Sequence, residues 1–219
     1  IFFHGNGETV SDYDQIGPLY AESGLNILIA TYRGYGWSTG EPSVSTLFSD
    51  CREIYDFLKN YLQENGFSGP LFVMGRSLGS ASALELAHAE PEAFKGLIIE
   101  SGFAHTLPLI KKMGIDISED EIREEECFNN IDKIRDITIP TMIYHGARDE
   151  LIPVAEAEKL QAESGAKNKQ FQMIPGADHN SLLTIAGRLY FQTIKEFTDK
   201  ICGKTKNWRR RRKEFKQNE

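Results

Sequence analysis

Cysteine is scarce in this 219-residue chain: three residues, Cys51, Cys127 and Cys202. An odd, scattered set excludes a disulfide framework and offers no metal-binding spacing. A reducing, cytoplasmic setting is therefore the default expectation, with no metal and no cofactor. No apolar run approaches the roughly 20 residues that a membrane-spanning helix needs. The chain also lacks an initiating methionine. It opens on Ile1-Phe2-Phe3, within or at the edge of a strand pattern. Earlier strands, and any leader or anchor, are therefore expected upstream of residue 1.

Basic charge is sparse along most of the chain and concentrated at its end. Residues 204–219 hold 8 of the 25 Lys and Arg, leaving 17 basic and 30 acidic groups, a net of −13, on residues 1–203. We read residues 1–203 as one domain, long enough for a sizeable core. Residues 204–219 read as a basic tail with Trp208 and Phe215. Such a tail suits contact with an anionic membrane surface. The plainer reading is a solubilising end of the last helix, or a contact with an acidic protein body. No nucleic-acid partner is expected.

Hydrophobic periodicity alternates between strand and helix. Strands are expected at residues 1–3, 25–31, 71–74, 94–101, 141–146 and 169–174. A helix is expected at 9–23, capped by Ser11 or Asp12 and stopped by Gly24. Another runs over 46–64, with Leu47, Ile54, Leu58, Tyr61 and Leu62 on one face and Asn65-Gly66 as its stop. Further helices are expected at 80–87 and 181–201, the latter with Leu182, Ile185, Leu189 and Phe197 at helical spacing. This order implies an α/β fold: a mostly parallel central sheet flanked by helices. Residues 102–136 break the rhythm and are expected to form a short cap. Within it, Phe103, His105, Leu107 and Met113 are candidates for a substrate pocket, together with Gly7. The alternative is a surface helix with its own core face. The acidic runs Glu119-Asp120-Glu121 and Glu124-Glu125-Glu126 read as a solvated face.

One run carries chemistry. Gly75-Arg76-Ser77-Leu78-Gly79 lies between the apolar segment Leu71-Phe72-Val73-Met74 and the small-residue helix from Ser80. Strand, G-x-S-x-G, helix is the context of a nucleophile elbow, in which glycines allow close approach and the serine is pushed out at the turn. A hydroxyl needs a base to become a nucleophile, usually a histidine oriented by a carboxylate. Two loops just past strands supply candidates. Asp149 follows Thr141-Met142-Ile143-Tyr144-His145-Gly146, with Glu150 as a rival and a helix cap as its bland role. His179 follows the strand at 169–174. Its neighbour Asp178 is poorly placed to orient it. An oxyanion needs backbone donors. The N–H of Leu78 is one candidate. The His4-Gly5-Asn6-Gly7 turn supplies the other, Asn6 with Gly7 as its rival, and the Asn6 side chain is able to assist.

Together these motifs resemble the α/β-hydrolase superfamily, and the likeness extends from residue 1 to about residue 202. The segment Tyr32-Arg33-Gly34-Tyr35-Gly36-Trp37-Ser38-Thr39-Gly40-Glu41-Pro42-Ser43 resembles the loop after the fourth strand in small α/β-hydrolase domain-containing proteins. Some of these are esterases, thioesterases or protein depalmitoylases. The resemblance implies a serine hydrolase acting on a small-molecule ester or thioester, with Ser77, His179 and Asp149 as triad and Asn6 and Leu78 as oxyanion donors. Arg33 is expected to brace the loops. A peptidase, a carbon–carbon hydrolase, an acyltransferase and a non-catalytic binding or scaffold protein remain open on the same fold.

Overall fold

The computed structural model of the chain describes residues 1–112, 114 and 123–204. Met113, the run Glu119-Asp120-Glu121 and the tail from residue 205 lie outside the described residues.

Six strands form one sheet: β1 (Phe2–Phe3), β2 (Ile29–Ala30), β3 (Phe72–Arg76), β4 (Gly96–Glu100), β5 (Thr141–Gly146) and β6 (Lys169–Ile174). Their order is β2-β1-β3-β4-β5-β6, and every pairing is parallel. The chain moves outward from β1 to β2, then crosses back to β3 and continues the other way. The order therefore reverses beside β1 and β3, and open α/β sheets place their clefts at such a switch point, beyond the strand ends.

Strand alternation divides the core in two. Val73, Leu97, Ile99 and Ile143 point to one face, while Met74, Ile98, Met142 and Tyr144 point to the other. The first face is covered by α2 (Val44–Glu64), α3 (Gly79–Ala89), α5 (Asn130–Asp136) and α6 (Val154–Glu163). The second is covered by α1 (Gly17–Glu22), α7 (Leu182–Ala186) and α8 (Arg188–Ile201). A strand buried on both faces reads as a continuous apolar run, which is why β5 was legible to its ends. Among the described residues, no helix is long and apolar enough to cross a membrane.

Three elements differ from the pattern expected. The helix expected at 9–23 is a 3₁₀ turn, Val10–Tyr13, followed by α1. Pro18, with no N–H, fits the first turn of α1 but cannot continue a helix arriving from upstream. The turn's N-cap is Thr9, whose N–H donates to Asp12 Oδ2 at 2.7 Å. The strand at 25–31 shrinks to Ile29–Ala30 because its partner β1 is itself two residues long. Its extended alternation persists: Leu25, Ile27 and Ile29 pack on one core and Leu28 on the other. The helix at 181–201 breaks at Gly187, whose φ of 52° ends α7 and starts α8. The break turns Ile185 and Leu189 outward, 54% and 52% exposed, while Leu182 and Phe197 stay in the core.

The expected cap region holds α4 (Thr106–Lys112), a 3₁₀ turn at Glu124–Glu126, and α5. α5 packs against α3 and α6 on the body, with Ile134 fully buried and Lys133 Nζ 2.7 Å from Glu85 Oε2. That leaves only the residues ahead of α5 available as an insertion.

Candidate active site

Ser77 stands between β3 and α3 with a φ of 51°, a conformation L residues adopt at a cost. The flanking glycines make the turn possible. A Cβ on Gly75 would lie 2.0 Å from Gly79 O, and one on Gly79 would lie 2.1 Å from Phe3 O. The Ser77 N–H donates to Glu100 O at 2.9 Å, and its carbonyl accepts the N–H and hydroxyl of Ser80 at 3.0 and 2.6 Å. These bonds fix the backbone and leave the Ser77 hydroxyl to a partner outside the turn.

That partner is His179. Its Nε2 lies 3.0 Å from Ser77 Oγ, and its Nδ1 lies 2.8 Å from Asp149 Oδ2. A carboxylate only accepts, so Nδ1 carries the proton and Nε2 is left to accept from Ser77. All three side chains are buried: Ser77, Asp149 and His179 are 7%, 6% and 8% exposed. Asp149 Oδ1 accepts the Ile152 N–H at 2.8 Å, which fixes the loop after β5. Asp178 serves another purpose: its Oδ1 accepts the N–H groups of Asn180 and Ser181 at 3.0 and 2.8 Å, closing the turn before α7. Glu150 is exposed and stands outside the bonded chain.

His145 lies fully buried beneath Asp149. Its Nε2 is 2.8 Å from Ile152 O and 3.5 Å from Asp149 Oδ2. Burial pulls its pKa below the ordinary imidazole range, outweighing the Ile152 carbonyl and the Asp149 charge. A neutral ring with Nε2 protonated donates to Ile152 and keeps its positive edge toward Asp149.

The loop after β1 contains both candidate donors from that side. Within the described residues, neither the Asn6 N–H nor the Leu78 N–H donates to another protein group. The Asn6 side chain is occupied, its Oδ1 accepting the Tyr35 hydroxyl at 2.6 Å. Gly7 is exposed with a φ of 75°. Arg33 braces its own loop by a bidentate pair with Asp50 on α2, with Nε 2.9 Å from both carboxylate oxygens. The arginine that reaches the site is Arg76, which the sequence reading passed over. It donates to the His179 carbonyl at 2.8 Å. Its signal was its position: the last residue of β3 is covered by the loops around Ser77, so an arginine there needs carboxylate partners.

The pocket candidates fare differently. Phe103 is a correction: it is fully buried in the core, its ring 5.6 Å from Phe128 and its carbonyl held by Asn130 Nδ2 at 2.9 Å. Coming directly off β4, it has no face left for a substrate. His105 is tied to α6, with its N–H 2.9 Å and its Nδ1 3.3 Å from Glu156 Oε2. Leu107 is half-buried in α4, its N–H donating to Glu124 Oε2 at 3.0 Å. Two clefts, of about 670 and 430 Å³, open on either side of Trp37, which is 92% exposed. The smaller is lined by Thr9, Val10, Ser11 and Tyr35 among others, next to the Asn6 loop. Neither has Ser77, Asp149 or His179 in its wall.

Residues 1–113 and 125–184 match the model of the family Hydrolase_4, described as serine aminopeptidase, S33. The chain belongs to this α/β-hydrolase family. It is 29% identical over 204 residues to protein bem46 of Schizosaccharomyces pombe, covering 90% of this chain and 66% of that one. It is 26% identical to the alpha/beta hydrolase domain-containing protein WAV2 of Arabidopsis thaliana, covering 92% and 70%. The chain thus spans about two thirds of the length of these relatives. Among solved structures it is similar to Est1E of Butyrivibrio proteoclasticus, determined with ferulic acid bound (TM-score 0.73, 22% identity, 92% of this chain and 88% of that one). It is also similar to the Paleococcus ferrophilus monoacylglycerol lipase (TM-score 0.69, 16% identity, 91% and 93%). At these identities the likeness is one of fold.

Proposed function

We propose that this hydrolase cleaves a carboxylic ester or thioester through an acyl-enzyme on Ser77. The observation that carries the reading is the bonded chain Ser77–His179–Asp149 at the carboxyl ends of β3, β6 and β5. Ser77 Oγ attacks the substrate carbonyl while its proton passes to His179 Nε2. Asp149 keeps Nδ1 protonated and stabilises the imidazolium that forms. The tetrahedral oxyanion takes hydrogen bonds from the N–H groups of Leu78 and Asn6. The carbon–oxygen or carbon–sulfur bond breaks as the leaving group takes the proton from His179. Water, deprotonated by His179, then attacks the acyl carbon and frees Ser77.

A second reading follows the family's description as a serine aminopeptidase. An aminopeptidase needs a carboxylate free to receive the substrate's ammonium group. Around Ser77 the described carboxylates are engaged: Asp149 by His179 and Ile152, Glu8 by Gly5, Tyr13 and Arg76, and Glu100 by Tyr190 and Arg76. This favours the ester or thioester. Initial rates on p-nitrophenyl esters and acyl-CoA thioesters of graded chain length, beside aminoacyl anilides, separate the two. We expect turnover of an acyl series that falls by several orders of magnitude in Ser77→Ala. Anilide turnover exceeding ester turnover would move the assignment to a peptidase. Rates unchanged in Ser77→Ala would end both readings.

A further inference from the structure

The geometry points to Arg76 as a positioning residue that fastens the oxyanion loop and the His179 loop to one guanidinium beneath Ser77. This rests on the hydrolase reading above. Arg76 and Ser77 are neighbours across the end of β3, so the side chain of Arg76 leaves the strand where the loops converge. Its three nitrogens face three different elements. Nη1 pairs with Glu8 Oε1. Nη2 donates to the His179 carbonyl at 2.8 Å and to Asn180 Oδ1 at 3.1 Å. Nε lies 3.4 Å from Glu100 Oε1 at the end of β4. Glu8 carries the link onward: its Oε2 accepts the Gly5 N–H at 2.7 Å and the Tyr13 hydroxyl at 2.6 Å. Gly5 directly precedes Asn6, whose N–H is the proposed second oxyanion donor. The crowding is tight, since a Cβ on Gly5 would sit 2.8 Å from Arg76 Nη1.

Charge explains why the residue is arginine. Arg76 and Glu100 are largely withdrawn from water, with side chains 12% and 5% exposed, and Glu8 is 22% exposed. One cation therefore serves two carboxylates. Glu100 Oε2 also accepts the Tyr190 hydroxyl at 2.6 Å, which anchors the cluster to α8. Burial holds the Glu100 carboxyl above its ordinary range despite Arg76 and Tyr190. A lysine is a point charge and cannot reach all of these groups at once, whereas the guanidinium fork can. Without it, the loop holding Asn6 and the loop holding His179 lose their shared tie. The oxyanion donor and the base then drift independently.

The test is a charge-balanced pair, Arg76→Gln with Glu100→Gln, so that the more deeply buried Glu100 carboxylate is not stranded, beside Arg76→Lys and Glu8→Gln. Steady-state kinetics on the best ester are read together with hydrogen exchange over residues 4–8 and 177–180. A misplaced catalytic group costs about tenfold to a hundredfold. We expect kcat to fall by that much with KM within about threefold, and Arg76→Lys to recover part of the loss. Exchange in the two loops should accelerate together, in the Ser77→Ala background as well as in the active protein. A folded double variant with kcat within about threefold of wild type, or faster exchange in one loop alone, would overturn the proposal. If the Arg76 variants fail to fold, Glu8→Gln is expected to accelerate exchange at residues 4–8 and lower kcat, and unchanged exchange there with kcat within about threefold of wild type would overturn the proposal. Absence of Ser77-dependent hydrolysis in the wild type would count against the proposed function, and the exchange data would then decide the role of Arg76.

Discussion

Asp149 is held from several sides at once. His179 Nδ1 and the Ile152 N–H contact its two oxygens at 2.8 Å each, and the His145 ring closes in from below. His145 Nδ1 is buried with no hydrogen-bond partner among the described residues to receive a second proton, and the pKa of the ring is depressed chiefly by burial. His4, buried between Gly5 O and Thr31 Oγ1, is depressed for the same leading reason. A histidine with a depressed pKa in the fold binds its proton more readily when unfolded. Its stability contribution is therefore complete above the unfolded value, near pH 6.5, and is lost as pH falls through 6.5 toward the lower folded value. Urea midpoints measured from pH 7.5 to 5 should decline toward acid, and His145→Gln should flatten the decline. An unchanged slope in the variant would show that His145 is not titrating on unfolding. The pairing of Asp149 with His179 was legible from strand-loop order alone. The support from His145 was not legible, because its partner Ile152 sits in a loop no pattern marks.

The elbow is the element on which the site depends, and its glycines are the most constrained positions in it. Gly79→Ala would press a methyl against the Phe3 carbonyl of β1, where main chain rather than a flexible side chain must yield. We expect a loss of at least about 2 kcal/mol in denaturant unfolding, with lower soluble yield. A loss under about 0.5 kcal/mol would mean that β1 and α3 are less tightly packed than described. This element was fully legible, since strand, glycines and small-residue helix all agree locally. The neighbouring helices were less so. Pro18 and Gly187 sit inside patterns that are otherwise helical, and periodicity alone does not reveal that each one divides its helix. Phe103 was misassigned for a related reason: an aromatic just past a strand looks the same in sequence whether it lines a pocket or fills the core. Arg76 was passed over because its partners lie far along the chain, Glu8 in the loop after β1 and Glu100 at the end of β4.

At the scale of the molecule, one parallel sheet brings residues 77, 149 and 179 together at its carboxyl edge, and its two apolar faces are closed by different helices. The sheet class follows from alternation of strand and helix, so that much of the architecture was readable, whereas the strand order came from the structure. The length of the edge strand β2 was not readable either, because it depends on the two-residue β1 beside it. All of the proposed chemistry lies within residues 1–204, whereas the basic charge is concentrated beyond Gly203. Deleting residues 205–219 should therefore leave kcat/KM on a soluble, uncharged ester within about twofold. A tenfold loss would place part of the site in the tail. The most direct test of the central claim is reaction with a fluorophosphonate probe, with mapping of the labelled peptide. The account predicts stoichiometric labelling on Ser77, absent in Ser77→Ala and sharply slowed in His179→Ala. Folded wild-type protein that remains unlabelled, or labelling at another serine, would contradict it.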